Sequence, residues 1–123
     1  MTIAGIAIGG AIGSVLRYLI QIKCIEWLGV KFPYGTLIVN TIGALLIGFL
    51  SVFLLERFFV STEIRFAIFI GLLGGFTTFS TFSLETLTLI EQGSIMAASI
   101  NIFLNVAICI GACYLGVYSA RIL

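Results

Sequence analysis

The residues best suited to chemistry lie between Gly71 and Ser83, which read G-L-L-G-G-F-T-T-F-S-T-F-S. Gly74-Gly75 followed by Thr77-Thr78 makes a poor continuous helix. Each glycine costs about 1 kcal/mol relative to alanine, and threonine hydroxyls compete for backbone hydrogen bonds. The pattern predicts a break here. The plainer alternative is a kinked, intact helix whose threonines bond their own backbone. Inside a membrane, a break frees amide and carbonyl groups that must be satisfied within protein or a water-filled cavity. Freed carbonyls suit a hard cation, and a half-helix N-terminus suits an anion. Phe79 and Phe82 are three residues apart and share a helix face, as do Thr78 with Thr81 and Ser80 with Ser83. Aromatic edges are electropositive. Two rings held edge-on offer weak, unhydrated contacts to a small anion, while the hydroxyls offer donors. The plainer reading of the rings is packing, in a chain with 11 phenylalanines.

Other polar residues stand in apolar surroundings. Asn40 lies in G-T-L-I-V-N, and Asn101 and Asn105 are four apart, on one helix face. Such amides either glue helices together or form a polar track whose NH₂ groups donate to an anion. Arg17 either snorkels to the near interface or makes a positive mouth that concentrates anions. Glu85 is the one carboxylate well inside an apolar segment, which makes it a functional candidate; a nearby partner or a wet vestibule would also explain it. The chain has no histidine, the commonest metal ligand and general base. Cys24, Cys109 and Cys113 are odd in number and read as small apolar packing residues.

These side chains must be held by elements that the composition defines. The 123 residues are 61% hydrophobic and 9% charged, against about 25% charged in an average soluble domain. A soluble fold this small cannot hide so much apolar surface, and the mean hydropathy is +1.28. A soluble enzyme is excluded, and so is disorder, which needs low hydrophobicity. With a net charge of +1 there is no basic field for nucleic acid, so none is expected as a partner. What remains is an all-α protein of the lipid bilayer, a single transmembrane domain over residues 1–123.

A bilayer core needs roughly 20 apolar residues as a helix. Four segments qualify, over about 2–22, 34–55, 64–90 and 95–122. Pro33 precedes the second, where a helix start tolerates it. Barrel strands would alternate polar and apolar residues, and none of the four does. The N-terminus carries no positive region, so the first segment is expected to stay as a membrane helix rather than be cleaved. With four spans, Arg57, Arg65 and Arg121 fall on one side, and Lys23, Lys31 and Arg17 on or near the other. The tally is even, so the positive-inside rule favours neither orientation. That balance admits dual topology, and four short helices enclose little pathway by themselves. Gly5, Gly9 and Gly13 recur every four residues, as do Gly71 with Gly75 and Ala112 with Gly116, which lets helix backbones approach closely.

The run from Gly74 to Ser83, followed by Glu85, resembles the signature of the Fluc fluoride channels, also called CrcB. Gly9-Gly10, Gly13 and Arg17-Tyr18 resemble that family's first helix, and Gly35-Thr36-Leu37, Val39-Asn40 and Gly43 its second. Asn101 and Asn105 are a weaker match in the fourth. The resemblance implies a dual-topology homodimer of antiparallel protomers with two pores, each built from both subunits. It implies a passive exporter of fluoride across the inner (plasma) membrane, selective over chloride, and not an enzyme; no catalytic residue is expected. It implies a structural sodium ion at the dimer centre, held by backbone carbonyls that fall by motif position on Gly74 and Thr77. The same mapping puts the pore-lining aromatics on Phe79 and Phe82, Asn40 by the pore, and Ser80 and Thr81 among the hydroxyl contacts. It puts Arg17 near the vestibule and Glu85 near a pore end. The fourth segment departs most, with Cys109 and Ala112 where further hydroxyls are expected.

Two rival readings stand beside this one. A small multidrug-type proton-coupled exporter shares the length, four spans and dual topology. It needs a carboxylate deep in the first helix, where this chain offers only Arg17. A non-transporting assembly subunit would explain the glycine faces and leave the Gly71–Ser83 run idle.

Overall fold

The largest fully buried side chains are Val39, Asn101 and Thr36, while isoleucines, leucines and phenylalanines cover the outside. Two of those three are polar, an arrangement suited to a chain whose solvent is lipid. The computed structural model describes residues 1–123. Helix α1 is Thr2–Leu28, and α2 is Tyr34–Arg57, closing with a π-helical turn over Phe53–Arg57. The third span, Thr62–Glu91, comes in two pieces: α3 over residues 62–76 and α4 over Phe79–Glu91. Helix α5 is Ile95–Ile122. All four spans are long and apolar enough to cross a membrane, so this is a multi-pass membrane protein.

The first helix continues past its expected end at Ile22 to Leu28. Lys23 and Glu26 therefore lie inside it and not in a connection, paired at 2.7 Å one turn apart. Charge does not break a helix, and a pair three residues apart is compatible with one. Gly29 ends it, with a φ of 80° that side chains disfavour. Arg17 therefore sits roughly 16 Å from the C-terminal end of α1, at the helical rise per residue. The third span begins at Thr62, where Ser61 Oγ accepts from the Ile64 amide at 3.5 Å.

Two pairings build the bundle: α1 lies along α3, and α2 lies along α5. Both are close because glycine removes the side chain at the seam. A Cβ on Gly13 would run into the Leu72 carbonyl and come within 2.8 Å of the Phe76 nitrogen. On the second seam a Cβ on Gly116 would strike the Leu45 carbonyl, and one on Gly48 the Cys113 carbonyl. The glycine repeat of α1 is thus a packing seam. Cys24 is buried, and all three cysteines are free.

Gly13→Ala is expected to lower the thermal midpoint in detergent micelles, because overpacking against backbone costs about 1–3 kcal/mol. Gly10→Ala is expected to hold or raise it, since its Cβ would meet nothing nearer than the Gly71 carbonyl at 3.9 Å and alanine favours the helix.

Candidate functional site

Thr77 has φ −85° and ψ 161°, and Thr78 has φ −154° and ψ 121°. Both are extended backbone, set between the helical turns of Gly74–Phe76 and the start of α4. The helical ladder stops there, and side chains from three helices take its place.

Asn40 on α2 clasps Thr78. Its Oδ1 accepts from the Thr78 amide at 2.8 Å, and its Nδ2 donates to the Thr78 carbonyl at 3.0 Å. A continuous helix would have sent that amide to the carbonyl of Gly74. Arg17 on α1 donates from Nη1 to the Thr77 carbonyl at 3.2 Å. The Thr81 amide, which a continuous helix would have sent to Thr77, donates to Thr78 Oγ1 at 3.2 Å and so caps α4. The Thr78 hydroxyl donates in turn to Thr81 Oγ1 at 3.0 Å.

The amides run on as a chain. Asn40 Nδ2 donates to Asn105 Oδ1 at 3.3 Å, and Asn105 Nδ2 to Asn101 Oδ1 at 2.9 Å. Asn101 Nδ2 reaches Thr86 Oγ1 at 3.0 Å, and that hydroxyl donates to the Phe82 carbonyl at 2.7 Å. Hence α2, α4 and α5 are tied together by polar groups that lipid cannot replace. A network of this kind is stable only when its members are satisfied.

Two clefts flank α4. One, of about 370 Å³, is lined by Asn40, Asn105, Cys109, Thr77, Phe79 and Phe82 among others. The two rings sit 5.4 Å apart at 50°; Phe82 is buried and Phe79 is 78% exposed. The other cleft, of about 390 Å³, includes Gln21, Lys31, Thr36, Thr81 and Glu85. There Gln21 Nε2 donates to Thr36 Oγ1 at 3.3 Å, and Thr36 donates to Glu85 Oε1 at 2.9 Å. The second carboxylate oxygen of Glu85 is buried without a partner.

The structure thus gathers Arg17, Asn40, Thr77, Thr81 and Asn105 around the interruption. Glu85 belongs to the second cleft and does not pair with Arg17. Gly74 and Ser80 are exposed. Asn101 lines neither cleft; it is fully buried and supports Asn105. Cys109 takes a lining place with its Sγ 4.0 Å from Thr41 Oγ1. Two residues that matter here were not picked out from the sequence, Gln21 and Thr86. The signal for Thr86 was its position four residues after Phe82, where a threonine back-bonds to the helix. Gln21 was hidden by ending the first segment one residue later.

The fold and site define a class: a membrane protein whose spans hold an interrupted helix and a linked set of polar side chains. A family model described as CrcB-like protein, Camphor Resistance (CrcB), matches residues 4–117, and the chain belongs to that family. A relative from Methylococcus capsulatus is 46% identical over 121 residues, covering 98% of this chain and 53% of the relative. The chain therefore spans about half the length of that protein. One from Geobacter metallireducens is 44% identical over 121 residues, 98% of each chain. One from Magnetococcus marinus is 44% identical over 123 residues, 100% of each. All three relatives are named fluoride-specific ion channel FluC. The family is one of channels and not of enzymes.

Asn40→Leu is expected to strip the Thr78 amide and carbonyl of their two bonds to Asn40, at a cost of about 1–3 kcal/mol for a group left unsatisfied. Hydrogen exchange reads this directly: the Thr78 amide is protected in the parent and exchanges much faster in the variant.

Proposed function

We propose that this chain is a fluoride-selective channel that lets fluoride leave the cytoplasm passively across the inner (plasma) membrane. Membership of the CrcB family, with relatives named for fluoride, supports the choice of ion. One observation carries the pathway. Phe79 is 78% exposed on the same cleft as Phe82, Asn40 and Asn105, beside the interrupted backbone. A ring left so open next to polar groups is half of a lining. A second copy inserted upside down supplies the other half, giving an antiparallel homodimer with two pores. The even tally of cations on the two sides is compatible with such insertion.

The chemistry follows from the ion. Fluoride crosses the bilayer as uncharged HF and ionises at neutral pH. The negative-inside potential then drives the anion out, at about 2.3 kcal/mol per charge per 100 mV, so no pumping step is needed. An anion that sheds water must be offered donors and positive edges instead. Phe79 and Phe82 offer ring edges, Ser80 and Thr81 offer hydroxyls, and Asn40 and Asn105 form a polar wall of the same cleft, with Asn101 buried behind them. Lys31 brings positive charge to the second cleft, where Glu85 marks the end of the path, and Arg17 stands at the interrupted backbone.

A structural sodium ion at the dimer centre fits the donor set. Thr77 turns its carbonyl out of the helical ladder, and the Thr78 amide goes to Asn40 and not back toward Gly74. Carbonyls released in this way are hard oxygen donors suited to an alkali cation. Those of Gly74 and Thr77 would hold it; two from one chain make an incomplete shell, so the partner copy contributes as well. When bound, the ion supplies a fixed positive charge at the centre of the assembly.

Purified protein in liposomes is expected to pass fluoride down its gradient when potassium movement through valinomycin balances charge. No fluoride efflux from a folded dimer would overturn the proposal. Phe82→Ile is expected to lower flux far more than dimer stability, and equal loss of both would mean that the ring only packs. Proton-dependent efflux of organic cations that Glu85→Gln abolishes would point to an exporter instead.

A further inference from the structure

The glycine stripe of α1 has a fourth member. Arg17 follows Gly5, Gly9 and Gly13 at the same spacing, on the same helix face. The contacts advance along the third span in step. Gly5 faces Ala67, Gly9 faces Gly71 and Leu72, and Gly13 faces Gly75 and Phe76. Arg17 then meets Thr77. The glycines bring the two backbones together, and where the helical ladder stops the stripe presents a long side chain with five donors. Arg17 is half-buried, lines neither cleft, and has no acidic partner; the ion pairs of the chain are Lys23–Glu26 and Arg121–Glu56. Its partner is a carbonyl whose helical donor, the Thr81 amide, has turned to Thr78 Oγ1.

We infer that Arg17 is a positioning residue: its guanidinium fixes the Thr77 carbonyl against α1 and so sets the extended Thr77–Thr78 stretch beside the proposed pathway. The contact itself does not depend on what the protein conducts; its consequence for flux rests on the fluoride reading. A lysine keeps the charge but is a point donor on a shorter stem, without the planar fork. A positive mouth would be served by either residue, whereas a tether would not.

Solid-state NMR of the labelled parent protein in bilayers tests the contact. A through-space correlation is expected between the Arg17 guanidinium nitrogens and the Thr77 carbonyl carbon, and its absence would overturn the inference. Flux from liposomes tests the consequence. Arg17→Lys and Arg17→Gln are each expected to lose about tenfold or more of the fluoride flux, the scale of one lost charged hydrogen bond, and raising the salt should restore neither. Parental flux in Arg17→Lys, or a parental advantage over Arg17→Gln that disappears as salt rises, would overturn the tether in favour of a screened positive mouth. If neither variant folds as a dimer, the correlation in the parent decides. A parent that shows the correlation but conducts no fluoride would retire the channel reading and leave the tether standing.

Discussion

An interrupted helix among apolar neighbours leaves backbone amides and carbonyls that only the protein can satisfy. That constraint organises this molecule. At Thr77 and Thr78 the unmet groups are answered by Arg17 from α1, by Asn40 from α2, and by the Thr78 hydroxyl at the head of α4. Each donor must arrive at hydrogen-bonding distance, so α1 and α2 have little freedom in where they lie. The glycine seam that draws α1 onto α3 is one means of meeting the demand. The seam between α2 and α5 is another, because it brings Asn105 to Asn40.

The same requirement explains the polar residues of the interior. Asn101 and Asn105 are buried, yet every step from Asn40 to the Phe82 carbonyl is a hydrogen bond of 2.7 to 3.3 Å. A chain of amides linked in this way resists rearrangement and fixes α4 against α5. Rigid placement of α4 in turn decides where Phe79 and Phe82 stand, and which side chains face each of the two clefts. The interruption and the proposed pathway are thus one construction.

Much of this was legible in the chain. The Gly74-Gly75 and Thr77-Thr78 pairs marked the weak point, and Asn40, Asn101, Asn105, Arg17 and Glu85 stood out because lipid tolerates few such residues. Other features were not legible. The end of α1 was misplaced because Lys23 and Glu26 looked like a boundary, whereas they form an intrahelical pair that only coordinates reveal. The partner of Arg17, a carbonyl 60 residues away on the third span, was not legible either. The division of roles, with Glu85 in one cleft and the asparagines by the other, also depended on how the helices turn about their axes.

Apolar composition is local and adds along the chain, so the sequence by itself determined a helical, multi-pass membrane protein and the residue types its interior must accommodate. A hydrogen bond is directional and acts over a few ångströms. Arg17 and Thr77 are 60 residues apart, Asn40 and Thr78 are 38, and Asn40 and Asn105 are 65. Which donor answers which carbonyl therefore depends on the approach and rotation of whole helices, and only the tertiary structure decided it.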